Sequence, residues 1–168
     1  FPQNGLPMKM TDLLFGKDDI PEDKMEENVD FTEYEEGVYV GYRHFDKANL
    51  DVSYPFGYGM SYTNFEYGEM ELVHENDSLK ITVPVMNTGQ VSGKEVVQFY
   101  ISKDSTQIDR PVQELKAFAK TALLSSGETD TLRVHVPVKN LRYWNESSSQ
   151  WTLESGTYKI KAGASSRA

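Results

Sequence analysis

Two runs of alternating residues constrain the fold of this chain more than any other feature. Residues 79–85 and residues 132–138 each place an apolar side chain at every second position. A period of two is that of a β-strand, because successive side chains of an extended chain point to opposite faces. The sequence therefore predicts strands that bury one face and expose the other. Pro84 lies in the first run and lacks an amide donor, so we expect either an edge strand or an outward position there.

Further strands are predicted between and after these two runs. Residues 95–101 are rich in β-forming side chains, and the turn-forming residues 87–89 separate them from the first run. Residues 151–153 and 158–162 flank a turn signal at 154–156, which indicates a closing hairpin. The predicted core consists of Leu79, Ile81, Val83, Val97, Phe99, Ile101, Leu115, Phe118, Leu132, Val134, Val136 and Tyr158.

Several short strands separated by turns within about 100 residues are typical of an immunoglobulin-like sandwich. The chain has no cysteine, so the disulfide of antibody domains cannot form. An all-β, antiparallel sandwich of the fibronectin type III type is the better prediction. Residues 1–63 lack such alternation and indicate a largely irregular N-terminal extension.

The negative charge of the chain is concentrated near its start. The net charge is −9, and residues 1–36 hold eleven acidic and three basic residues. Such a segment buries too little apolar surface to order itself, so we interpret it as a solvated linker in preference to a calcium site. Nucleic-acid binding is disfavoured because phosphate contacts need a basic surface. No run is apolar and long enough for a membrane helix, and we expect no membrane partner.

Five ordered motifs carry a resemblance to a known family. Residues 34–46 resemble the segment Y-x-E-G-I-Y-V-G-Y-R-Y-F-D of glycoside hydrolase family 3 enzymes, and residues 54–63 resemble their F-P-F-G-Y-G-L-S-Y-T segment. Residues 85–98 are similar to V-x-N-T-G…G-x-E-V-V-Q, and residues 110–118 are similar to R-P-x-K-E-L-K-G-F. Residues 156–166 resemble the closing strand and end of the family's fibronectin type III-like domain.

The resemblance implies the C-terminal part of a longer enzyme of the β-glucosidase or β-xylosidase type. Residues 1–63 would be an acidic linker and an aromatic segment from the end of the preceding α/β domain, and residues 64–168 the fibronectin type III-like sandwich. The start at Phe1 suggests such a fragment as well. In the family, the nucleophile lies on an N-terminal barrel and the acid/base on the α/β domain. We therefore assign no catalytic residue, metal or cofactor here, and expect the fragment itself to be inactive.

The family resemblance also sets the expected partners and location. The main partners are the N-terminal barrel and α/β catalytic domains of the same polypeptide, whose intact form would hydrolyse β-glucosides or β-xylosides. Family habit favours a periplasmic or secreted location. An alternative function is an autonomous β-sandwich module that binds a carbohydrate or a protein.

Two groups of aromatic residues are candidates for binding. One is a glycine-spaced segment that would contact a neighbouring domain, line the rim of the cleft or stack on a sugar, and its candidate contact residues are Tyr39, Tyr42, Arg43, Phe45, Asp46, Phe56 and Tyr58. Within it, Arg43 and Asp46 would pin the segment by a charge-assisted bond. The other group is Trp144 and Trp151, which flank a polar loop. They would either pack across a hairpin or stack on an oligo- or polysaccharide.

Overall fold

The computed structural model describes residues 35–167, so the predicted acidic linker, apart from its last residues, lies outside the described residues. Residues from Val38 onward form one compact unit. Its elements are the helix α1 (Tyr42–Lys47), the strands β1 (Phe65–Tyr67), β2 (Glu71–Glu75), β3 (Ser78–Asn87), β4 (Val96–Lys103), β5 (Glu114–Lys120) and β6 (Thr129–Pro137), a 3-10 turn (Val138–Leu141), and the strands β7 (Tyr143–Asn145), β8 (Gln150–Thr152) and β9 (Tyr158–Gly163).

The strands form two antiparallel sheets and a separate hairpin. In the first sheet, β3 pairs with β1 and β2 along one edge and with β6 along the other. In the second sheet, β4 lies between β5 and β9. The strands β7 and β8 pair only with each other. The predicted all-β sandwich is confirmed.

The core lies between the two sheets and is built from the alternating runs. Every second residue of β3, β4 and β6 is buried there, and the neighbouring positions point away. The buried apolar cluster comprises Ile81, Val83, Val85, Val97, Phe99, Ile101, Leu132, Val134, Val136 and Leu141. Leu79 and Tyr158 are partly buried against it. The period-two pattern thus identified most of the core correctly.

The prediction of Phe118 and Leu115 as core residues is wrong. Phe118 is 70% exposed, whereas its neighbours Ala117 and Ala119 pack on the core. Phe118 pairs with Gln98, whose side chain also points away from the core. A β-bulge turns Leu115 outward as well, because Ala117 pairs with Phe99 while Leu115 pairs with the next residue of β4, which leaves Lys116 as an extra residue. Leu115 and Phe118 therefore both lie on the outer face of the sheet.

The prediction of a closing hairpin from residues 151–153 and 158–162 is also wrong. Strand β8 pairs with β7, which precedes it in the chain, whereas β9 pairs with β4 in the second sheet. Glu154 accounts for the separation, because it accepts hydrogen bonds from Gln107 N and from Thr106 Oγ1 and so tethers the intervening turn to another loop. The long edge of β4 then offers six paired positions to β9.

Pro84 is accommodated without an edge strand. Strand β3 is central in its sheet, so the edge alternative is wrong, but Pro84 does lie opposite to the buried face of Val83 and Val85. Its carbonyl accepts a hydrogen bond from Gly68 N at 2.9 Å. The neighbouring edge is interrupted there, between β1 and β2, so the missing proline amide costs no ladder bond.

The segment before the sandwich contains a short helix that the prediction of irregular, extended chain missed. It spans Tyr42–Lys47 and follows Gly41, whose φ is +61°. The helix brings Tyr42, Arg43 and Asp46 to the same side of the segment, since residues three and four positions apart lie near each other on a helix. Among the described residues, no helix is long and apolar enough to cross a membrane.

Candidate functional site: an aromatic strap and a tryptophan hairpin

Residues 38–63, here called the strap, lie on the outer face of the β5–β4–β9 sheet. The Tyr42 ring stacks on Phe56 with 5.0 Å between ring centroids and meets the edge of Tyr100 at 5.9 Å. The hydroxyl oxygen of Tyr42 accepts a hydrogen bond from Leu115 N at 3.0 Å. Tyr100 points away from the core but is only 2% exposed, because the strap covers it. Strand β4 is therefore buried on both faces.

A buried amide attaches the second half of the strap. Gln98 Nε2 donates to the carbonyl oxygens of Gly57 at 3.2 Å and Ala164 at 2.7 Å, and its Oε1 accepts from the Tyr100 hydroxyl at 2.7 Å. Burial raises the pKa of Tyr100 to about 12, so this hydroxyl remains a donor at neutral pH. All hydrogen-bonding directions of the buried amide except one lone pair are thereby used.

Gly57 makes this close approach possible. Its φ is +81°, and a Cβ atom built on it would lie 2.1 Å from Gln98 Oε1. A side chain at this position would displace the amide and adopt an unfavourable backbone conformation. One residue earlier, the Phe56 carbonyl accepts from Ser166 N at 2.9 Å, so the strap is bound to the C-terminal end of the chain as well.

Charged residues hold the helical half of the strap. Arg43 forms an ion pair with Glu114 at 3.3 Å, and Asp46 forms one with Arg167 at 2.9 Å and accepts from Gln113 Nε2 at 3.0 Å. The sequence analysis expected a charge-assisted bond at Arg43 and Asp46 to pin this segment; the structure pairs Arg43 with Glu114 and Asp46 with Arg167, both on the sandwich. Such bonds are stronger than neutral ones and fix geometry.

The strap begins at a cluster around Asp109. Its carboxylate accepts a hydrogen bond from the Tyr39 hydroxyl and forms an ion pair with Lys47 at 3.1 Å. The hydrogen bond from Tyr39, followed by that from Lys47, holds the pKa of Asp109 below its usual range. The pKa of Lys47 is raised in turn, first by its hydrogen bond with Tyr39 and then by Asp109. The Lys47 ammonium also lies 3.5 Å from the centre of the Tyr39 ring.

The side of the strap that faces away from the sheet is rich in exposed aromatic residues. Of the predicted contact residues, Phe45, Phe56 and Tyr58 are exposed in part, whereas Tyr42, Arg43 and Asp46 face the sandwich. Two residues outside the list of predicted contact residues are the most exposed, Met60 at 91% and Tyr62 at 98%. We define the outer strap surface as Tyr54, Phe56, Tyr58, Met60 and Tyr62.

The two tryptophans form a second exposed aromatic site. Trp144 on β7 is the cross-strand partner of Trp151 on β8, and their ring centroids are 5.7 Å apart in an edge-to-face arrangement. The rings therefore pack across the hairpin, as one of the two interpretations predicted. They are nevertheless 49% and 63% exposed. They line one side of an open groove of about 860 Å³, here called the hairpin groove, whose other side is the loop 108–111.

An ion-pair network forms the base of this groove and connects it to the strap. The Glu114 carboxylate pairs with Arg43 at 3.3 Å, Lys116 at 3.1 Å and Arg110 at 3.6 Å. Arg110 lies 3.7 Å from Glu154, which also pairs with Lys103. A hydrogen bond from the backbone of Gln107 is the main cause that lowers the pKa of Glu154. The sequence did not predict most of this network, because its members are far apart in the chain.

The described residues do not assemble a metal site. Between residues 35 and 167, no three His, Asp or Glu side chains come close enough to hold an ion. Glu95 is a half-buried carboxylate whose pKa burial raises, and it accepts a hydrogen bond from Tyr67 at 2.9 Å. Its partner is thus a phenol and not a second carboxylate, which does not match the acid pair of a retaining glycosidase.

Comparison with known proteins defines the class of the sandwich and then the family. Residues 95–166 match the model of the fibronectin type III-like domain. The chain is 43% identical over 136 residues to probable beta-glucosidase K of Emericella nidulans, which covers 80% of this chain and 16% of the relative. It is 35% identical to beta-glucosidase BoGH3A of Bacteroides ovatus over 95% of this chain and 22% of the relative.

Solved structures show the same relationship. Beta-glucosidase 3B from Thermotoga neapolitana matches with a TM-score of 0.76 and 44% identity over 80% of this chain and 18% of that one. Beta-glucosidase from Kluyveromyces marxianus, solved in complex with glucose, matches with a TM-score of 0.75 and 40% identity over 79% and 16%. The chain thus belongs to the C-terminal, fibronectin type III-like part of the glycoside hydrolase family 3 β-glucosidases. It spans 16% of the length of the Emericella nidulans relative and 22% of that of the Bacteroides ovatus relative.

Proposed function

We propose that this chain is a non-catalytic accessory part of a family 3 β-glucosidase and that its outer strap surface docks on the catalytic domains of the same polypeptide. The observation that carries the proposal is the contrast within the strap. One side is fixed to the sandwich by aromatic stacking, ion pairs and the Gln98 amide, while the other presents Met60 and Tyr62 almost fully to solvent.

The free-energy cost of exposing apolar side chains to water supports docking at this surface. Contiguous exposed aromatic and aliphatic side chains are uncommon on isolated domains and mark contact surfaces. Tyr54 and Tyr58 contact each other with ring centroids 5.3 Å apart, so part of the surface is already ordered. Anchoring on the sandwich reduces the ordering entropy that binding would otherwise cost. A rigid aromatic surface of this kind suits a permanent contact between domains.

The names of the relatives favour β-glucosides over β-xylosides as substrates of the intact enzyme. Each relative and each solved structure named above is a β-glucosidase. The chemistry would belong to the catalytic domains, because the family resemblance places the nucleophile on the N-terminal barrel and the acid/base on the α/β domain. We extend the same proposal to location, and infer a secreted or periplasmic enzyme.

An activity assay tests the non-catalytic role. The 168-residue chain is incubated with p-nitrophenyl β-D-glucoside, and we expect no release of nitrophenol above the buffer rate. Sustained turnover that purifies with the chain would contradict the proposal.

A domain graft tests the docking surface. This chain replaces the matching C-terminal part of the Kluyveromyces marxianus β-glucosidase, which is 41% identical to it. The active chimera is then compared with two variants of itself, Met60→Ser and Tyr62→Ser. We expect each substitution to lower the melting temperature and the glucosidase activity of the chimera. Phe118→Ser, on the outer face of the sheet, is the matched control. Equal effects of all three substitutions would refute docking at the strap.

A further inference from the structure

We infer that the hairpin groove is a binding site for a neutral oligosaccharide built of pyranose rings. The groove lies between the β7–β8 hairpin and the loop 108–111, and its volume of about 860 Å³ is in the range of small-molecule sites. It does not include any residue of the outer strap surface. The inference therefore goes beyond the accessory role and does not depend on how the strap docks.

Trp144 and Trp151 supply the apolar surface that such a ligand needs. A pyranose ring has C–H groups on its faces and hydroxyl groups around its rim, so it packs its face on an aromatic ring and keeps its rim polar. The two indole planes meet at 68°, which makes adjacent walls and not a closed stack. Pairing across the hairpin holds both rings in place before binding, so little side-chain entropy is lost when a sugar is bound.

Arg110 supplies hydrogen-bonding capacity at the base of the groove. Among the described residues, its Nη1 is the one buried side-chain nitrogen or oxygen that makes no hydrogen bond. The Glu154 carboxylate is 3.7 Å from it, beyond hydrogen-bonding distance. Buried polar groups are normally satisfied, so an unused guanidinium donor in a groove wall indicates a missing acceptor.

The charges around the groove favour a neutral ligand. Its lining mixes two cations, Arg110 and Arg142, with three anions, Asp109, Glu114 and Glu146. Such a mixture repels neither sign strongly and provides no cluster of cations for a phosphate or sulfate group. It does offer donors and carboxylate acceptors side by side, and hydroxyl groups use both kinds.

Intrinsic fluorescence tests the inference directly, because the chain contains two tryptophans and both line the groove. The full chain is titrated with cellohexaose and, in a separate arm, with xylohexaose. We expect at least one hexasaccharide to give a saturable change in emission, and the two arms show which sugar is preferred. Calorimetry with the same ligands provides a dissociation constant that does not depend on fluorescence.

Three variants locate the binding. Trp151→Ala is expected to weaken binding by about tenfold or more, as at an aromatic hot spot. Arg110→Lys keeps the charge but removes the guanidinium geometry, and we expect a smaller loss of affinity. Phe118→Ala, which removes an exposed aromatic residue that does not line the groove, should bind like the parent chain. Circular dichroism confirms that each variant is folded.

Two results would overturn the inference. One is the absence of saturable binding of either hexasaccharide by the folded chain. The other is binding with equal affinity by the parent chain and the folded Trp151→Ala variant, which would place the sugar elsewhere.

Discussion

The two faces of strand β4 are both buried but are held in different ways. On the inner face, Val97, Phe99 and Ile101 pack into an apolar core. On the outer face, Gln98 and Tyr100 are covered by the strap and make specific hydrogen bonds with it and with each other. The inner contact is non-directional and tolerates exchange among apolar residues of similar volume. The outer contact depends on individual atoms in fixed positions.

Because of this difference, the inner face mainly contributes stability, whereas the outer face mainly sets the geometry of the proposed docking surface. The core provides most of the free energy of folding, because the hydrophobic effect scales with buried apolar area. The strap contributes less but sets which side chains face outward, including Met60 and Tyr62. Changes to the inner face should therefore unfold the whole domain, whereas changes to the outer face should loosen the strap alone.

The largest effect is expected from Phe99→Ala. Phe99 is fully buried, so its truncation leaves a cavity between the sheets and should reduce the free energy of unfolding by about 3–5 kcal/mol. Urea denaturation measures the loss. Phe118→Ala removes the same side chain from an exposed position and should change stability by about 0.5 kcal/mol or less. Similar losses in both variants would show that the two faces do not differ as described.

An intermediate effect is expected from Gly57→Ala. The new Cβ would collide with the Gln98 amide and force a residue with a side chain into positive φ, which together should cost about 2–4 kcal/mol. Hydrogen exchange should show faster exchange at Ser166 N, which bonds to the strap at Phe56, and unchanged exchange in the core. The control is Gly59→Ala, because a Cβ there meets no atom within 4 Å. Equal behaviour of the two variants would rule out Gly57 as an anchor.

The smallest effect is expected on acidification. The folded-state pKa of Asp109 is lowered by Tyr39 and Lys47, so the stabilisation that it provides is present above its unfolded pKa. That stabilisation is lost as the pH falls through the folded-state pKa, and the start of the strap should then detach from the loop. NMR signals of the Tyr39 ring should shift over this range. In Asp109→Asn, which cannot titrate, the shift should disappear, and its persistence would exclude Asp109 as the cause.

Sequence patterns predicted the inner face well and the outer face poorly. The period of two in β3, β4 and β6 is local, so it can be read from neighbouring residues. The burial of Tyr100 depends on Tyr42 and Phe56, more than forty positions away, and no local pattern contains that information. One signal was present, however. The β4 sequence contains an aromatic residue at an outward position, which is unusual for a face left in water.

The corrected elements show the same limit. Phe118 is apolar like a core residue, but its pairing with the outward-facing Gln98 of β4 decides its face. Trp151 was assigned to a hairpin with β9, yet Glu154 binds the loop at Gln107 and leads the chain to the other sheet. In both cases a contact between distant segments overrides a correct local preference.

The sequence by itself determined the fold class, the main strands and, through its motifs, the family. These properties follow from short-range alternation and from ordered motifs, which do not depend on how segments meet. Only the tertiary structure decided that the strap covers the outer face of β4, that Met60 and Tyr62 point to solvent, and that two tryptophans share a groove with Arg110. Those features arise where distant segments approach within a few ångströms, and the physical reason is that directional contacts depend on atomic positions that a residue pattern does not specify.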